Sequence, residues 1–122
     1  MRQSGVLAAA ALYALRHNRA RVAEDHEAAR RIAAILARSP SVRLDPGRVE
    51  TNIVVVALSA PRAAQAVRAA EERGVLCHAI APNALRLVTH LDFPAEHAEV
   101  AASRVADAIE HVHADARREE LG

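Results

Sequence analysis

The sequence contains no lysine. All sixteen of its basic residues are arginines, and they face fifteen acidic residues, which gives a formal net charge of +1. Without a lysine, no Schiff base between this chain and a carbonyl cofactor can form. A balanced charge also gives no reason to expect nucleic acid or an anionic membrane as a partner.

Aromatic residues and cysteine are nearly absent as well. Aromatics make up 2% of the 122 residues, and much of the 52% hydrophobic content is alanine, which buries little area per residue. We therefore expect one domain with closely packed helices and a modest core, a domain that needs a partner surface for stability. The single cysteine, Cys77, excludes an internal disulfide and a thiolate metal cluster, and its apolar surroundings predict a small buried side chain.

Signals for several common chemistries are missing. The four glycines are scattered, so there is no phosphate-binding loop, and no serine sits in a nucleophile-elbow context. His111 and His113 are two apart on a predicted helix and point about 200° apart, so we predict no metal site.

No apolar stretch is long enough to span a membrane, and "VLAAAALYAL" lacks a cleavage site. A reducing cytoplasm is the expected location.

The pattern along the chain predicts two helices followed by a small sheet with two more helices. Residues 4–17 form an apolar helix with Ser4 as a candidate N-cap, and residues 20–38 form an amphipathic helix with Val22 on its inner side. Because a helix that is apolar on all sides is normally buried, helix 4–17 indicates that the chain is part of a larger body. The next elements are a strand at 42–44, a turn at 45–47 and a strand at 49–58 that is apolar on both faces. A helix at 60–73, which Gly74 stops, is followed by strands at 75–80 and 84–90. The last element is a helix at 94–117, with Asp92 as its cap and Val100 on its inner side.

This order predicts an α+β fold with a small antiparallel sheet of three to four strands. From residue 49 onward the pattern is β-α-β-β-α, as in the split unit of ferredoxin-like folds, and it places strand 84–90 in the centre of the sheet.

That central strand contains Arg86 within the run "LRLVT". An unpaired buried guanidinium is costly, so Arg86 needs water or an anion. One interpretation is a structural arginine that reaches solvent or a carboxylate such as Asp92 or Glu50. The other is a binding arginine that holds a carboxylate or phosphate ligand in its two-pronged geometry. Arg2, beside Gln3 before the first helix, is either a solvated terminal residue or a second functional arginine.

Four stretches, "MRQSGVLAAAALYAL", "EDHEAARRIAAILA", "VETNIVVV" and "LRLVTHLDF", resemble successive segments of low-specificity L-threonine aldolases. These are pyridoxal-phosphate enzymes of the β-eliminating lyase superfamily and the aspartate aminotransferase fold class. The resemblance covers nearly the whole chain but only the C-terminal part of such an enzyme. It implies that residues 1–122 are the small domain, that residues 1–20 form a linker helix from a large cofactor-binding domain, and that Met1 is an internal methionine of a longer aldolase.

The resemblance also implies roles for individual residues. Arg86 matches the arginine that holds the substrate's α-carboxylate, Arg2 matches an arginine near the cofactor site and subunit interface, and His90 and Asp92 match strand-end and helix-cap positions. The implied reaction is retro-aldol cleavage of L-threonine to glycine and acetaldehyde, with Arg86 orienting the amino acid substrate. The resemblance assigns no catalytic residue to this chain, because the cofactor lysine belongs to the large domain.

Two functional hypotheses follow. The first is a domain of a threonine aldolase that is inactive alone, binds no pyridoxal phosphate alone, requires the large domain as partner, and self-associates through its first helix. The second is a free-standing α+β module that binds a small ligand or a partner without catalysis. The packing of helix 4–17 discriminates between them.

Overall fold

The fold is α+β, as predicted. The computed structural model describes residues 2–122, apart from the side chain of residue 120, so the interpretation of Met1 lies outside the described residues. The helices and strands are α1 (Ser4–His17), α2 (Val22–Leu36), β1 (Val42–Arg43), β2 (Ile53–Leu58), α3 (Ala63–Glu72), β3 (His78–Ala81), β4 (Ala84–Val88) and α4 (Ala98–Leu121). Short 3-10 turns precede α2, β2 and α4. None of the described helices combines the length and the apolar run that crossing a membrane requires.

The four strands form one antiparallel sheet in the order β1-β2-β4-β3. The prediction that the strand carrying Arg86 is central is therefore confirmed. Both edges are short or irregular, because β1 has two residues and β3 shifts its register on β4 between Ala79 and Ala81.

The predicted strands were too long, because long-range contacts set where they end. The segment 49–52 is not a strand, because the chain bends at Asn52. The side-chain amide of Asn52 donates to the carbonyl of Thr89 at 2.7 Å, and the amide of Thr89 donates to the carbonyl of Asn52 at 2.9 Å. β4 therefore ends at Val88. β3 begins only at His78, because the amide of Val75 donates to the carbonyl of Ala70 and closes the end of α3.

The sheet has one covered face and one uncovered face. α2 and α3 pack on the side formed by the buried residues Val54, Val56, Leu58, Leu85 and Leu87, and α4 packs against α2 and α3. The opposite side, the outer sheet face, is formed by Ile53, Val55, His78, Ile80, Arg86 and Val88, all of which are exposed. Strand 49–58 is apolar on both faces, as predicted, but within this chain it is not enclosed as in a sheet interior, because no described element packs on its outer side.

Alanine dominates the helical part of the core, as the composition predicted. α2 contributes Ala28, Ala29 and Ala33 to its contact with α4, which contributes Ala102 and Ala108, so the two helix backbones approach closely. Cys77 is buried, as expected. Two side chains that were predicted to point into the core do not. Val22 lies at the exposed start of α2, and Val100 faces a surface cleft described below.

Helix ends follow the predictions in part. Gly74 ends α3 with φ of 78°, a left-handed conformation that glycine adopts without steric cost. Ser4 is not an N-cap, because it is already the first helical residue and Gln3 precedes it. Asp92 does not cap α4, since a 3-10 turn at Ala95–His97 intervenes and His97 is the residue before the helix.

α1 has the predicted bounds, but none of its residues is buried. Its five large apolar side chains, Val6, Leu7, Leu12, Tyr13 and Leu15, are 46–70% exposed. Its main contact is with the 3-10 turn that follows it, so the helix projects from the body formed by the sheet and α2–α4.

Candidate functional site

Arg86 lies at the centre of the outer sheet face. It is the middle residue of β4, and its direct cross-strand neighbours are Val55 on β2 and His78 on β3. The alternation of a strand explains this placement, because Leu85 and Leu87 point into the core and the residue between them must point outward.

The guanidinium of Arg86 has no anionic partner among the described residues. The ion pairs in this part of the chain all involve other residues, and neither Asp92 nor Glu50 lies within ion-pair distance of Arg86. The structural interpretation is therefore wrong in one form, a pair with Asp92 or Glu50, whereas its other form, an arginine that reaches solvent, agrees with the exposure of Arg86. Its head group is exposed and available to an external anion.

The surroundings of Arg86 are apolar. Ile53, Val55, Ile80 and Val88 are each 41–49% exposed on the same face. A cation set among apolar side chains becomes strongly attractive to a carboxylate once a partner surface excludes water, because the local dielectric falls. The planar fork of arginine further favours two-oxygen anions, which it binds through two parallel hydrogen bonds.

Two further arginines lie beside the outer sheet face. Arg43 and Arg48 line a depression of about 400 Å³ that also includes Ile53 and Val55. Sequence reasoning did not single out either arginine, although the outward position of Arg43 follows from its pairing with Ala57. They add positive charge beside Arg86, which Asp45 in the same depression partly offsets, and neither arginine forms an ion pair with a described carboxylate.

A cleft of about 540 Å³ lies elsewhere. It opens between the end of β4 and the start of α4, and its lining includes Thr89, His90, Asp92, His97 and Arg104 but not Arg86. Within it, the amide of Asp92 donates to Nδ1 of His90 at 3.2 Å, a local turn contact that agrees with the strand-end role predicted for His90. Arg104 donates to the carbonyl of Arg73 at 3.1 Å.

Arg2 lies ahead of α1 and is exposed. It forms no ion pair with a described residue, and it sits on a different part of the chain from Arg86, next to a helix that none of the other elements buries. The role of Arg2 near a cofactor or subunit interface stays a prediction.

A polar cluster that sequence reasoning missed holds α4 to the end of α2. The carboxylate of Glu110 accepts hydrogen bonds from the hydroxyl of Ser39, from the amide of Ser41 at 3.0 Å and from the hydroxyl of Ser41 at 3.1 Å. Burial raises the pKa of Glu110, but these bonds and the attraction of His113 outweigh it, so the pKa lies below its ordinary value of 4.5. The partners are about 70 residues apart in sequence, so no local signal reveals them.

The histidines do not converge. His111 is exposed and contacts Asp115 at 3.3 Å, whereas His113 is buried and its Nδ1 lies 2.8 Å from the carbonyl of Ile109. The prediction that these two side chains point apart is confirmed. Among the described residues no group of three potential ligands could hold a metal ion.

The chain's residues do not fit pyridoxal phosphate by themselves. The cofactor needs a lysine to hold it covalently, and the sequence has none. The arginines of the outer sheet face suit a carboxylate or a phosphate, but they provide no covalent anchor.

Comparison with known proteins agrees with the resemblance. Residues 1–59 match the family model of the beta-eliminating lyases. The chain is 45% identical over 103 residues to the low specificity L-threonine aldolase of Escherichia coli K12, which covers 84% of this chain and 29% of that enzyme. It is 42% identical over 93 residues to the probable low-specificity L-threonine aldolase 2 of Arabidopsis thaliana, which covers 74% of this chain and 26% of that protein.

The chain thus spans less than a third of the length of the curated relatives it matches. Over that segment, and as its sequence motifs predicted, it is related to the low-specificity L-threonine aldolases.

Proposed function

We propose that this chain acts as the C-terminal small domain of a pyridoxal-phosphate-dependent threonine aldolase, in which Arg86 binds the α-carboxylate of the amino acid substrate. One observation carries the proposal: Arg86 is a cation without a described partner, at the centre of an uncovered apolar sheet face. The proposal includes the aspartate aminotransferase fold class for the whole enzyme and retro-aldol cleavage of L-threonine to glycine and acetaldehyde as its reaction.

The task of Arg86 in this reaction is to position the substrate. β4 is hydrogen-bonded to a strand on each side, so its backbone is rigid and fixes the point from which the side chain of Arg86 extends. Two parallel hydrogen bonds to a carboxylate fix both the place and the rotation of the amino acid, which a single point charge does not. Fixing that orientation aligns the bond that must break, and it lowers the entropic part of the barrier.

The large domain must supply everything that this chain lacks. When bound there, pyridoxal phosphate supplies the electron sink for carbon–carbon cleavage. The sequence has no lysine, so this chain alone neither anchors the cofactor covalently nor cleaves threonine. The uncovered outer sheet face and α1, with residues 1–20 as the connecting helix, are the surfaces that the large domain would cover.

A complementation experiment tests the proposal. The E. coli K12 enzyme without its segment related to this chain is co-expressed with the 122-residue chain, and glycine formation from L-threonine is measured. We expect activity only when both parts are present. Arg86→Gln should lower kcat/KM by about 100-fold or more, and Arg86→Lys by nearly as much, because lysine lacks the fork.

Arg117→Gln is the matched control, since it removes an exposed arginine from α4 and should retain wild-type activity. Equal activity of Arg86→Gln and wild type would contradict the carboxylate role. Cleavage of threonine by the chain and cofactor alone, above the rate of free cofactor, would contradict the need for a large domain.

A second candidate is a free-standing module that binds a small ligand. The observation that favours it is the 540 Å³ cleft on a body that buries its own core without α1. Its volume lies in the range of small-molecule sites. Saturable binding of an amino acid by the chain alone, lost in His97→Ala but kept in Arg86→Gln, together with failed complementation, would favour this module.

A further inference from the structure

Two apolar surfaces of this chain are uncovered at the same time. The first is α1, a helix without a buried residue, and the second is the outer sheet face. Exposed apolar patches of this kind mark interaction sites in soluble proteins. The two surfaces belong to one chain, so a second copy carries the complement of each.

α1 requires cover on more than one side. At 100° per residue, its large apolar side chains, from Val6 to Leu15, distribute around the whole helix axis rather than along one stripe. A single flat neighbour covers about half of such a helix. The partner of α1 must therefore offer both a broad face and a second surface beside it.

The outer sheet face has the dimensions that α1 needs. A helix of 14 residues is about 21 Å long, and a strand of six residues such as β2 is about 20 Å long. A helix laid on the bare face of a sheet already covered by helices on its other side completes a three-layer α/β/α arrangement.

We propose that, without a large domain, two copies of this chain form a symmetric dimer in which α1 of each copy covers the outer sheet face of the other. The exchange is reciprocal, as a twofold interface requires, and it brings the two α1 helices side by side so that each covers the remaining side of the other. The dimer itself rests only on the uncovered surfaces, whereas its competition with a large domain rests on the proposed aldolase function.

The area of such an interface suits a stable dimer. One helix on one sheet face removes on the order of 800 Å² from water, counting both partners, and twofold symmetry doubles this to about 1,600 Å², the standard size for specific complexes. A simple pairing of two α1 helices would bury roughly half as much and leave both sheet faces bare.

The charges decide where the last turn of α1 lies on the outer sheet face. α1 has no charged residue between Ser4 and Leu15, and its positive charge is confined to Arg16 and His17 in the last turn. Repulsion from Arg86 keeps this last turn at the rim. Arg86 extends its long apolar stem beneath the helix and its head reaches water at the edge.

The dimer would cover the face that carries Arg86. Self-association and docking of a large domain are therefore mutually exclusive, and adding the large domain to the dimer should dissociate it. The dimer covers Arg86 until a large domain replaces the second copy, and it keeps the apolar side chains of α1 from aggregating.

Cysteine cross-linking tests the geometry. In a Cys77→Ala background, chains carrying Ala8→Cys, Ala10→Cys or Ala11→Cys sample three sides of α1, and each is mixed with a chain carrying Val55→Cys. We expect a disulfide-linked mixed dimer for at least one pair, because only sites within a few ångströms can be bridged. Asp107→Cys, on the exposed side of α4, is the control and should give none.

Sedimentation velocity across a range of concentrations tests the energetics. Leu12→Arg should raise the dimer dissociation constant by about tenfold or more, Arg86→Leu should lower it, and Ser103→Arg on α4 should leave it unchanged. Circular dichroism checks that each variant is folded. A wild-type chain that stays monomeric, a Leu12→Arg dimer as tight as wild type, or cross-links only between two α1 helices would overturn the proposal.

Discussion

Arg86 and Val55 are direct cross-strand partners, and both side chains point to the sheet face that the helices leave uncovered. A permanently charged group thus sits beside an aliphatic one in the middle of a sheet, without a carboxylate from the described residues to balance it. Such an arrangement contributes little to folding, and it becomes meaningful when another molecule supplies the anion.

The first prediction is that Arg86→Gln leaves the stability of the isolated chain nearly unchanged. The side chain is exposed and forms no described ion pair, so its removal should alter the free energy of unfolding by less than about 0.5 kcal/mol. Urea denaturation measures this. A loss of more than about 1 kcal/mol would indicate a structural role that the geometry does not contain.

The second prediction concerns Glu110 and pH. Its lowered pKa means that the folded state prefers the ionised carboxylate, so this stabilisation is fully present above the ordinary pKa of 4.5 and is lost as the pH falls through the lower folded-state value. Glu110→Gln should therefore cost about 1–2 kcal/mol at pH 7 and progressively less towards pH 3.

Urea denaturation of wild type and Glu110→Gln at several pH values measures that difference. Asp107→Asn changes an exposed acid on the same helix and should follow the wild-type profile. A Glu110→Gln deficit that stays constant from pH 7 to pH 3 would show that the charge of the carboxylate does not matter.

The third prediction concerns Thr89, which joins the end of β4 to α2. Its buried hydroxyl donates to the carbonyl of Asp25 at 2.6 Å. Thr89→Val keeps the shape but removes the donor, and it should lower the free energy of unfolding by about 1–1.5 kcal/mol. Thr51→Val, which removes an exposed acceptor for the amide of Ile53, should cost clearly less.

The fourth prediction is that Cys77 is unreactive in the folded chain. Burial raises the pKa of its thiol, so both access and the thiolate fraction are low. Reaction with Ellman's reagent at pH 8 should be at least about 100-fold slower in buffer than in urea. A fast reaction without denaturant would mean that the segment before β3 opens readily.

The sequence predicted the elements better than their ends. The bounds of α1, the stop at Gly74 and the central position of β4 depend on local propensity or on simple topology. The start of β2 at Ile53 does not, because it depends on the contact between Asn52 and Thr89, which are 37 residues apart. The cap predicted at Asp92 failed because an additional 3-10 turn lies between it and α4.

The candidate site was predictable in one residue and not in its surroundings. An arginine between two buried leucines must point outward, which the strand period alone dictates. That the whole outer sheet face is bare could not be deduced, because Val55 and Ile53 are as apolar as core residues. Their sequence is suited to burial, and only the arrangement of the helices shows that this chain covers just one side.

The edges of the sheet carry a further consequence. With only two residues in β1 and an irregular register in β3, neither margin offers a long straight ladder of unpaired amides and carbonyls. Short and irregular edges of this kind make strand-by-strand addition less favourable. This chain is therefore suited to bind partners through the face of its sheet and through α1, and it is poorly suited to pair with further strands at the edges of the sheet.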